Sequence, residues 1–260
     1  TMDKDIALVL SGGGARGIAH IGVIEVLLEK GYHIKSIAGT SMGALVGGMY
    51  GLGKMESFKE WLFTLDRTKV FKLVDLTLGS GGFIKGDRVL NTIKDFTQDA
   101  NIEDLKIPFC AVATNIDTQK EVVFKKGNMF EAIRASISIP TVLVPVKTKK
   151  GHLVDGGILN NLPLDHVQRF ENDQLVAVNV NAEIPIIKLP KKTDEETQQE
   201  LGHSQNKPSD LYEMISGLFQ NKKLNVHLGY IQSLNYTIQV MVHTNAIQPI
   251  KSTQPDTTIT

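Results

Sequence analysis

Two consecutive strand–turn–helix units within the first 52 residues limit the folds open to this chain. The apolar run IALVLS (6–11) is typical of a strand covered on both faces, and apolar residues at helical spacing then continue to Gly31. A second strand, IKSIAGTS (34–41), turns sharply into the small-residue helix MGALVGGMYGLG. Strands that alternate with helices in this way predict a mostly parallel sheet.

Later segments repeat the same rhythm. Four more strands are predicted at IPFCAVATNI (107–116), EVVFKKG (121–127), HLVDGGIL (152–159) and QLVAVNVNA (174–182). The helix in MFEAIRASISIP must end before Pro140. The sequence therefore predicts an α/β fold, a three-layer α/β/α sandwich around a mostly parallel central sheet. We expect residues 1–260 to form one catalytic domain, truncated at its C-terminal end, where the chain stops on a strand-like alternation.

Two segments interrupt the rhythm. Residues 79–87, GSGGFIKGD, predict a glycine-rich loop, with Phe83 and Ile84 at the tip of a lid over the site. Residues 184–210 are polar and contain several prolines, so we expect an exposed loop there. The stretch that begins SDLYEMISGLF then predicts one or two helices.

The glycines after the first strand raise the question of which negative group they hold. Gly12, Gly14 and Gly17 have the spacing of a dinucleotide-binding fingerprint, but that site also needs an acidic residue about 20 positions later. No Asp or Glu occurs between Lys30 and Lys54, and no Gly-Lys-Ser/Thr follows the glycines as a P-loop would require. A plain tight turn remains the simplest alternative.

The second strand ends in the pattern of a nucleophile elbow. Gly39-Thr40-Ser41-Met42-Gly43 is GxSxG between a predicted strand and a predicted helix, which is the context that this motif requires. A serine at such a turn projects its hydroxyl from the backbone, near the amide groups that begin the helix. The alternative is that Ser41 or Thr40 merely caps the helix. If Ser41 is a nucleophile, amides of Gly13 and Gly14 would stabilise the oxyanion.

A nucleophilic serine also needs a base. Of the seven histidines, none lies in a recognisable motif, and His20 on an apolar helix face is more typical of a core residue. Asp155 ends a predicted strand and precedes two glycines, although Asp-Gly-Gly alone is also a common turn. His166 would complete a Ser–His–Asp triad in chain order.

Three motifs together resemble the patatin-like phospholipases: GGGARG (12–17), GTSMG (39–43) and DGGILNNLP (155–163). The segment RASISIPTVLVPV (134–146) is similar to that family's approach to the aspartate. The resemblance covers about the first 180 residues. It implies an α/β/α sandwich and lipid acyl hydrolysis by a Ser–Asp dyad without histidine.

Carried over to this chain, the resemblance makes Ser41 the nucleophile and Asp155 its base. It assigns oxyanion and substrate binding to Gly12, Gly13, Gly14, Ala15, Arg16 and Gly17. It assigns the elbow to Gly39 and Gly43, and the base motif to Gly156 and Gly157. The expected function is a serine lipid acyl hydrolase of the phospholipase A or lysophospholipase type, with no cofactor and no metal. An acyltransferase with the same dyad, a Ser–His–Asp esterase and a catalytically dead lipid- or nucleotide-binding module remain alternatives.

The amino-acid composition limits the kinds of partner and the compartment that we expect for this chain. The 28 Lys and Arg balance the 28 Asp and Glu, so no general basic field favours nucleic acid. The single cysteine, Cys110, allows no intrachain disulfide, and we expect a cytoplasmic protein. No apolar run approaches the ~18 residues of a membrane-spanning helix, so contact with membranes is expected to be peripheral and transient.

Overall fold

One mixed sheet organises the part of the chain that the computed structural model describes, namely residues 4–66, 69, 86–182 and 228–260, with backbone only for 228–236. Its strands are β1 (Asp5–Leu10), β2 (His33–Thr40), β3 (Phe109–Asn115), β4 (Lys120–Phe124), β5 (Val146–Thr148), β6 (Gly151–Asp155), β7 (Gln174–Val178) and β8 (Thr257–Ile259). The helices are α1 (Ala19–Glu29), α2 (Met42–Leu52), α3 (Met55–Thr64), α4 (Asp87–Thr97), α5 (Met129–Ser136) and α6 (Leu228–Thr253).

The hydrogen-bonded succession of strands is β5-β6-β3-β2-β1-β7-β8, with β4 also paired to β3. Strands β1, β2, β3, β7 and β8 run parallel, whereas β4, β5 and β6 join antiparallel at one end. The predicted sandwich is confirmed, with a sheet that is more mixed than the sequence alone indicates. The short strand β5, which the sequence analysis does not predict, closes a hairpin with β6.

Strand β3 has two partners along one edge. It pairs with β4 through Ala111–Asn115, so its other edge must carry both β2 and β6. On that edge Thr40 lies opposite Val112, and Asp155 lies opposite the next residue, Ala113. Because β6 runs against β2, the C-terminal ends of these two strands meet head to head.

The chain winds in two directions from β1. The connections β1–α1–β2 and β2–α2–β3 lead towards one end of the sheet, whereas β7 and α6 lead to β8 at the other. Since parallel crossovers are right-handed, helices on these two routes must cover opposite faces. The structure agrees: Leu8 packs in the cluster beneath α1 and α2, while Ile250 of α6 packs on the other face against Val9 and its neighbours. The switch point between β1 and β7 is where open α/β sheets bind ligands.

Several predicted elements are confirmed and others need correction. Helix α1 ends just before Gly31, whose φ of 77° is the left-handed conformation expected after a helix. Asp87, predicted to lie in a glycine-rich loop, instead begins α4, an amphipathic helix that buries Leu90 and Ile93. The rest of that loop, with Phe83 and Ile84, and the polar loop 184–210 lie outside the described residues. Among the described helices, none is long and apolar enough to cross a membrane.

The helix α3 carries a matched pair of phenylalanines that tests this core. Phe58 is 1% exposed and stacks on Trp61, whereas Phe63 is 46% exposed. We expect Phe58→Ala to lower the free energy of unfolding by about 3–5 kcal/mol, because it removes a large buried side chain. Phe63→Ala should change it by less than about 1 kcal/mol. Urea denaturation followed by circular dichroism measures both, and equal losses would contradict the packing described.

Candidate active site

Ser41 lies at the turn between β2 and α2 in a strained backbone conformation. Its φ of 54° and ψ of −122° are rare for a residue other than glycine. Its side chain makes no capping hydrogen bond to the helix, and the Thr40 hydroxyl donates to Asn160 O at 2.9 Å instead of capping α2. Ser41 therefore occupies the N-cap position of α2, but neither its side chain nor that of Thr40 caps the helix. The hydroxyl of Ser41 stays available beside the helix N-terminus.

The elbow is held by close backbone contacts and by one buried serine. A Cβ at Gly43 would stand 2.7 Å from the backbone of Leu10 and Ser11, so only glycine lets α2 begin directly against the end of β1. Gly39 is equally restricted, because its Cβ would lie 2.6 Å from Ala44 N. The Ser41 amide donates to Ser136 Oγ at 2.8 Å, and that hydroxyl donates to Val112 O at 2.6 Å.

Asp155 ends β6 next to this elbow. Its carboxyl is buried, and its Oδ1 accepts a hydrogen bond from the Gly157 amide at 2.8 Å. Burial raises the pKa of Asp155 to about 6, against smaller lowering effects from the Ser41 hydroxyl and the Gly157 amide. The Ser41 hydroxyl thus lies close enough to influence the carboxyl, yet Oδ2 has no hydrogen-bond partner among the described residues. The two side chains are adjacent without a closed hydrogen bond.

Gly156 explains how Asp155 approaches the turn at Ser41. A Cβ on Gly156 would lie 2.7 Å from Val112 C and 3.1 Å from Thr40 Cγ2, so this glycine lets the turn after β6 press against β2 and β3. Gly156–Ile158 then form a short 3-10 helix. A Cβ on Gly157 would crowd Asp155 Oδ1, at 3.1 Å.

The glycine loop after β1 presents two free amides. The Gly12 amide donates to Asn161 O at 3.0 Å, and the Arg16 amide to Gly13 O at 3.2 Å. Within the described part of the chain, the amides of Gly13 and Gly14 have no acceptor. Gly14 has a φ of 54°, which glycine adopts without strain. A Cβ on Gly12 would lie 3.2 Å from Ser41 Cβ, so the loop borders the serine.

The other loop residues support this arrangement. Gly17 lets the short 3-10 helix Gly14–Ile18 press against α2, because a Cβ there would lie 2.5 Å from Met42 Cβ. Ala15 is buried, whereas Arg16 is exposed. Arg16 donates from Nη2 to Asn181 Oδ1 at 3.1 Å, so it is tied to the loop's supports.

Two buried asparagines hold the loop from outside. Asn181, after β7, donates from Nδ2 to Gly12 O at 2.6 Å. Asn161 binds Gly12 through its backbone oxygen and also directs Nδ2 to Gly12 O, at 3.5 Å. Together they fix the Gly12–Gly13 peptide, which carries the first of the two free amides. The sequence analysis misses both roles, although Asn161 lies within DGGILNNLP and Asn181 follows a buried strand, where ligand-binding side chains of α/β sheets collect.

Helix α6 covers this end of the sheet. Asn245 donates from Nδ2 to Ile158 O at 2.5 Å, and Val242 Cγ2 would lie 3.2 Å from a Cβ on Gly157. His243 donates from Nδ1 to Asn181 O at 3.1 Å. The last helix thus contacts both the turn after Asp155 and the support of the glycine loop. The sequence predicts helices near here but no role for them at the site.

The histidines that the structure describes all bond to groups other than Ser41 and Asp155. The ring nitrogens of His20, His33, His152, His166 and His243 contact Ser11 O, Asp5, Asp117, Glu121 and Asn181 O, respectively. His20 is buried, and burial lowers its pKa to about 4, as expected of a neutral core residue. His203 and His227 lie outside the described residues.

His166 belongs to a separate polar cluster with Glu121 and Asp165. Their potential ligand atoms lie within 4.8 Å of one another, which a divalent cation could bridge. The three groups also contact one another, because His166 Nε2 lies 2.7 Å from Glu121 Oε2 and 3.4 Å from Asp165 Oδ2. Among the described residues, this cluster makes no hydrogen bond to the side chains of Ser41 or Asp155.

The chain is similar in sequence to known proteins over about two thirds of its length. Residues 8–167 match the patatin-like phospholipase family. An uncharacterized NTE family protein of Mycobacterium tuberculosis is 42% identical over 176 residues, which are 68% of this chain and 49% of that protein. Neuropathy target esterase sws of Drosophila melanogaster is 34% identical over 188 residues, 69% of this chain and 13% of that protein. This chain therefore spans about half the length of the mycobacterial relative. VipD from Legionella pneumophila has a TM-score of 0.44 at 17% identity, covering 68% of this chain and 50% of that chain.

The raised pKa of Asp155 predicts a pH-dependent stability difference. Between the ordinary value of 3.8 and about 6, the folded state binds more protons than the unfolded state, so stability falls as pH rises through this window. Asp155→Asn removes the buried charge. We expect the variant to be more stable than the wild type by about 2–3 kcal/mol at pH 8, with the difference vanishing below pH ~4. Urea denaturation at several pH values measures it; a pH-independent difference would contradict the raised pKa.

Proposed function

Because the chain belongs to the patatin-like phospholipase family, we propose that it is a serine lipid acyl hydrolase acting through Ser41 and Asp155. One observation carries the proposal: a strained serine and a buried carboxylate lie side by side, next to two free amides of the glycine loop. Lipid hydrolysis is what the family name implies, and an esterase is named among the relatives. The dyad, the substrate class and the order of steps are this proposal's additions.

In the first step, Ser41 Oγ attacks the acyl carbonyl carbon and Asp155 takes its proton. A carboxylate at its ordinary pKa is a weak base for a hydroxyl, and the burial that raises the Asp155 pKa to about 6 improves the match while leaving the group mostly ionised at pH 7. The tetrahedral oxyanion accepts hydrogen bonds from the Gly13 and Gly14 amides, each worth roughly 3 kcal/mol in the transition state. The protonated Asp155 then gives its proton to the leaving alcohol.

In the second step, water hydrolyses the acyl-enzyme. Asp155 takes a proton from water as the water oxygen attacks the acyl carbon, and the same amides hold the second oxyanion. The bond between the acyl carbon and Ser41 Oγ breaks, Ser41 regains its proton and the fatty acid leaves. The substrate that we propose is a phospholipid or lysophospholipid ester, reached by transient contact with a membrane surface.

Of two alternatives, an acyltransferase shares the first step with the hydrolase, and a Ser–His–Asp esterase uses a different base. An acyltransferase would pass the acyl group to an alcohol instead of water, and product analysis with added glycerol separates the two. A Ser–His–Asp esterase would need a histidine within hydrogen-bond distance of Ser41 Oγ. His166, the candidate in chain order, bonds to Glu121 instead. This contact favours the dyad.

Labelling with a fluorophosphonate probe and release of fatty acid from lysophosphatidylcholine test the dyad. We expect Ser41→Ala to abolish both. Asp155→Asn should lower both by about 10²- to 10⁴-fold, because it removes the base without changing the shape of the side chain. His166→Ala is the matched control and should leave both rates within about threefold of the wild type. Mass spectrometry of the labelled peptide and of the released lipid gives the readout.

Three results would count against the proposal. Wild-type protein that no probe labels would favour a binding module. Loss of labelling in His166→Ala, with the fold intact, would favour the triad. Undiminished activity in Asp155→Asn would remove the proposed base.

A further inference from the structure

His20 is a buried histidine that the proposed chemistry does not use. It lies in the first turn of α1, none of its surface is exposed, and its Nε2 lies 2.8 Å from Ser11 O. Burial lowers the pKa of His20 to about 4, so the ring is neutral at neutral pH. Because a carbonyl oxygen only accepts hydrogen bonds, Nε2 carries the one ring proton and donates it to Ser11 O.

The other ring nitrogen of His20 has no favourable contact. Nδ1 is an acceptor in this tautomer, and it is buried without a hydrogen-bond partner among the described residues. An unpartnered buried acceptor destabilises a fold, and an apolar side chain of similar size would not have this disadvantage. The bond to Ser11 O is therefore the contact that distinguishes His20 from an ordinary core residue.

This bond closes the base of the glycine loop. Ser11 directly follows β1, and His20 directly follows the first residue of α1, after the 3-10 helix Gly14–Ile18. Ser11 is itself fixed to the chain after β7, because its amide donates to Val178 O at 3.0 Å and its Oγ accepts from the Val180 amide at 3.1 Å. His20 thus ties the first turn of α1 to the end of β1 and spans the loop between them.

Three successive peptides of the loop are each held at their carbonyl oxygen. The donors are the His20 ring at Ser11 O (2.8 Å), the Asn181 side chain at Gly12 O (2.6 Å) and the Arg16 amide at Gly13 O (3.2 Å). The second and third of these peptides carry the free amides of Gly13 and Gly14. Because glycine has no side chain to restrict its backbone, these hydrogen bonds determine where the free amides point. The direction of the first peptide, which His20 holds, is passed on to the next two.

We propose that His20 is a positioning residue of the reaction, which directs the Gly13 and Gly14 amides at the oxyanion by holding Ser11 O. The inference rests on the proposed function, in which these amides stabilise both tetrahedral intermediates. His20 exchanges no proton in either step, because its one N–H is bonded to Ser11 O. Donors that are in place before the charge develops need no reorganisation, and a small misplacement of them weakens the transition state more than the bound substrate.

His20→Leu tests this role, because it removes the donor and keeps a buried side chain. With lysophosphatidylcholine, we expect kcat to fall about 10- to 100-fold and KM to stay within about threefold of the wild type, since the loss falls on the transition state. His20→Gln brings an amide N–H close to the position of Nε2. It should turn over at least about fivefold faster than His20→Leu, the effect of restoring one hydrogen bond.

Inhibition separates positioning from general support of the fold. A trifluoromethyl ketone analogue of the lipid forms a tetrahedral oxyanion with Ser41, whereas the matching ether analogue has no carbonyl group. We expect His20→Leu to weaken inhibition by the ketone about as much as it lowers kcat/KM. Inhibition by the ether should stay within about threefold of the wild type.

Ile24→Ala is the matched control. Ile24 is fully buried one turn later in α1, where it packs in the core. This variant should unfold at a lower urea concentration than the wild type, because it leaves a cavity. Once circular dichroism shows that the protein is folded, its kcat and both inhibition constants should stay within about threefold of the wild type.

The outcomes distinguish this inference from the proposed function. If the wild type is not labelled by the fluorophosphonate probe and releases no fatty acid, the proposed function fails. If the wild type is active but His20→Leu keeps its kcat, the inference is overturned. It is also overturned if His20→Leu weakens inhibition by the ketone and the ether equally, or if Ile24→Ala lowers kcat as much, because His20 then only supports the fold. If His20→Leu does not fold, His20→Asn, whose amide is too short to reach Ser11 O, takes its place in the same comparison with His20→Gln.

Discussion

One edge of strand β3 sets the distance between Ser41 and Asp155, the two groups on which the proposed chemistry depends. Strand β2 occupies the first part of this edge and β6 the second part, from opposite directions, so that Thr40 and Asp155 pair with neighbouring residues of β3. A slip of either strand by one residue would turn its side chains to the other face of the sheet and move Ser41 or Asp155 out of position. The buried pattern of the strands therefore holds Ser41 and Asp155 together, although they are far apart along the chain.

The site concentrates features that destabilise a fold when taken alone. A serine with positive φ, a buried carboxyl with a raised pKa, two free amides and two unpartnered oxygens lie in neighbouring turns of the described chain. The surrounding structure supports them with rigid contacts, such as the Ser136 hydroxyl between the Ser41 amide and Val112 O. Groups held in this way need little reorganisation when charge develops, which is the condition for electrostatic catalysis.

Much of this arrangement is predictable from the sequence, because its signals are local. The strand-to-helix turn at Ser41, the glycine loop and the strand that ends at Asp155 each appear as a short pattern of apolar residues and glycines. The roles of Asn161 and Asn181 are not predictable in this way, since an asparagine has the same local preferences whether it holds a catalytic loop or a surface turn. Helix α4, which begins within the predicted glycine-rich loop at Asp87, shows a second limit: its apolar stripe is clear only once its start is known. Helix α6 is harder still, because Pro249 lies inside it and argues locally against a helix.

The contact between His243 and Asn181 links a helix with many exposed positions to the tightly packed turns around Ser41. At Gly39, Gly43 and Gly156, an added Cβ would collide with backbone atoms, so these three positions accept only glycine. In the part whose side chains are described, residues 237–253, helix α6 bonds to these segments through His243 and Asn245, and many of its positions are exposed. Substitutions at His243 therefore reach the site indirectly, through Asn181 and the Gly12–Gly13 peptide that it holds. The close backbone contacts at the glycines stay unchanged. This helix, in the last quarter of the chain, is therefore where the sequence can vary with the smallest disturbance to the site.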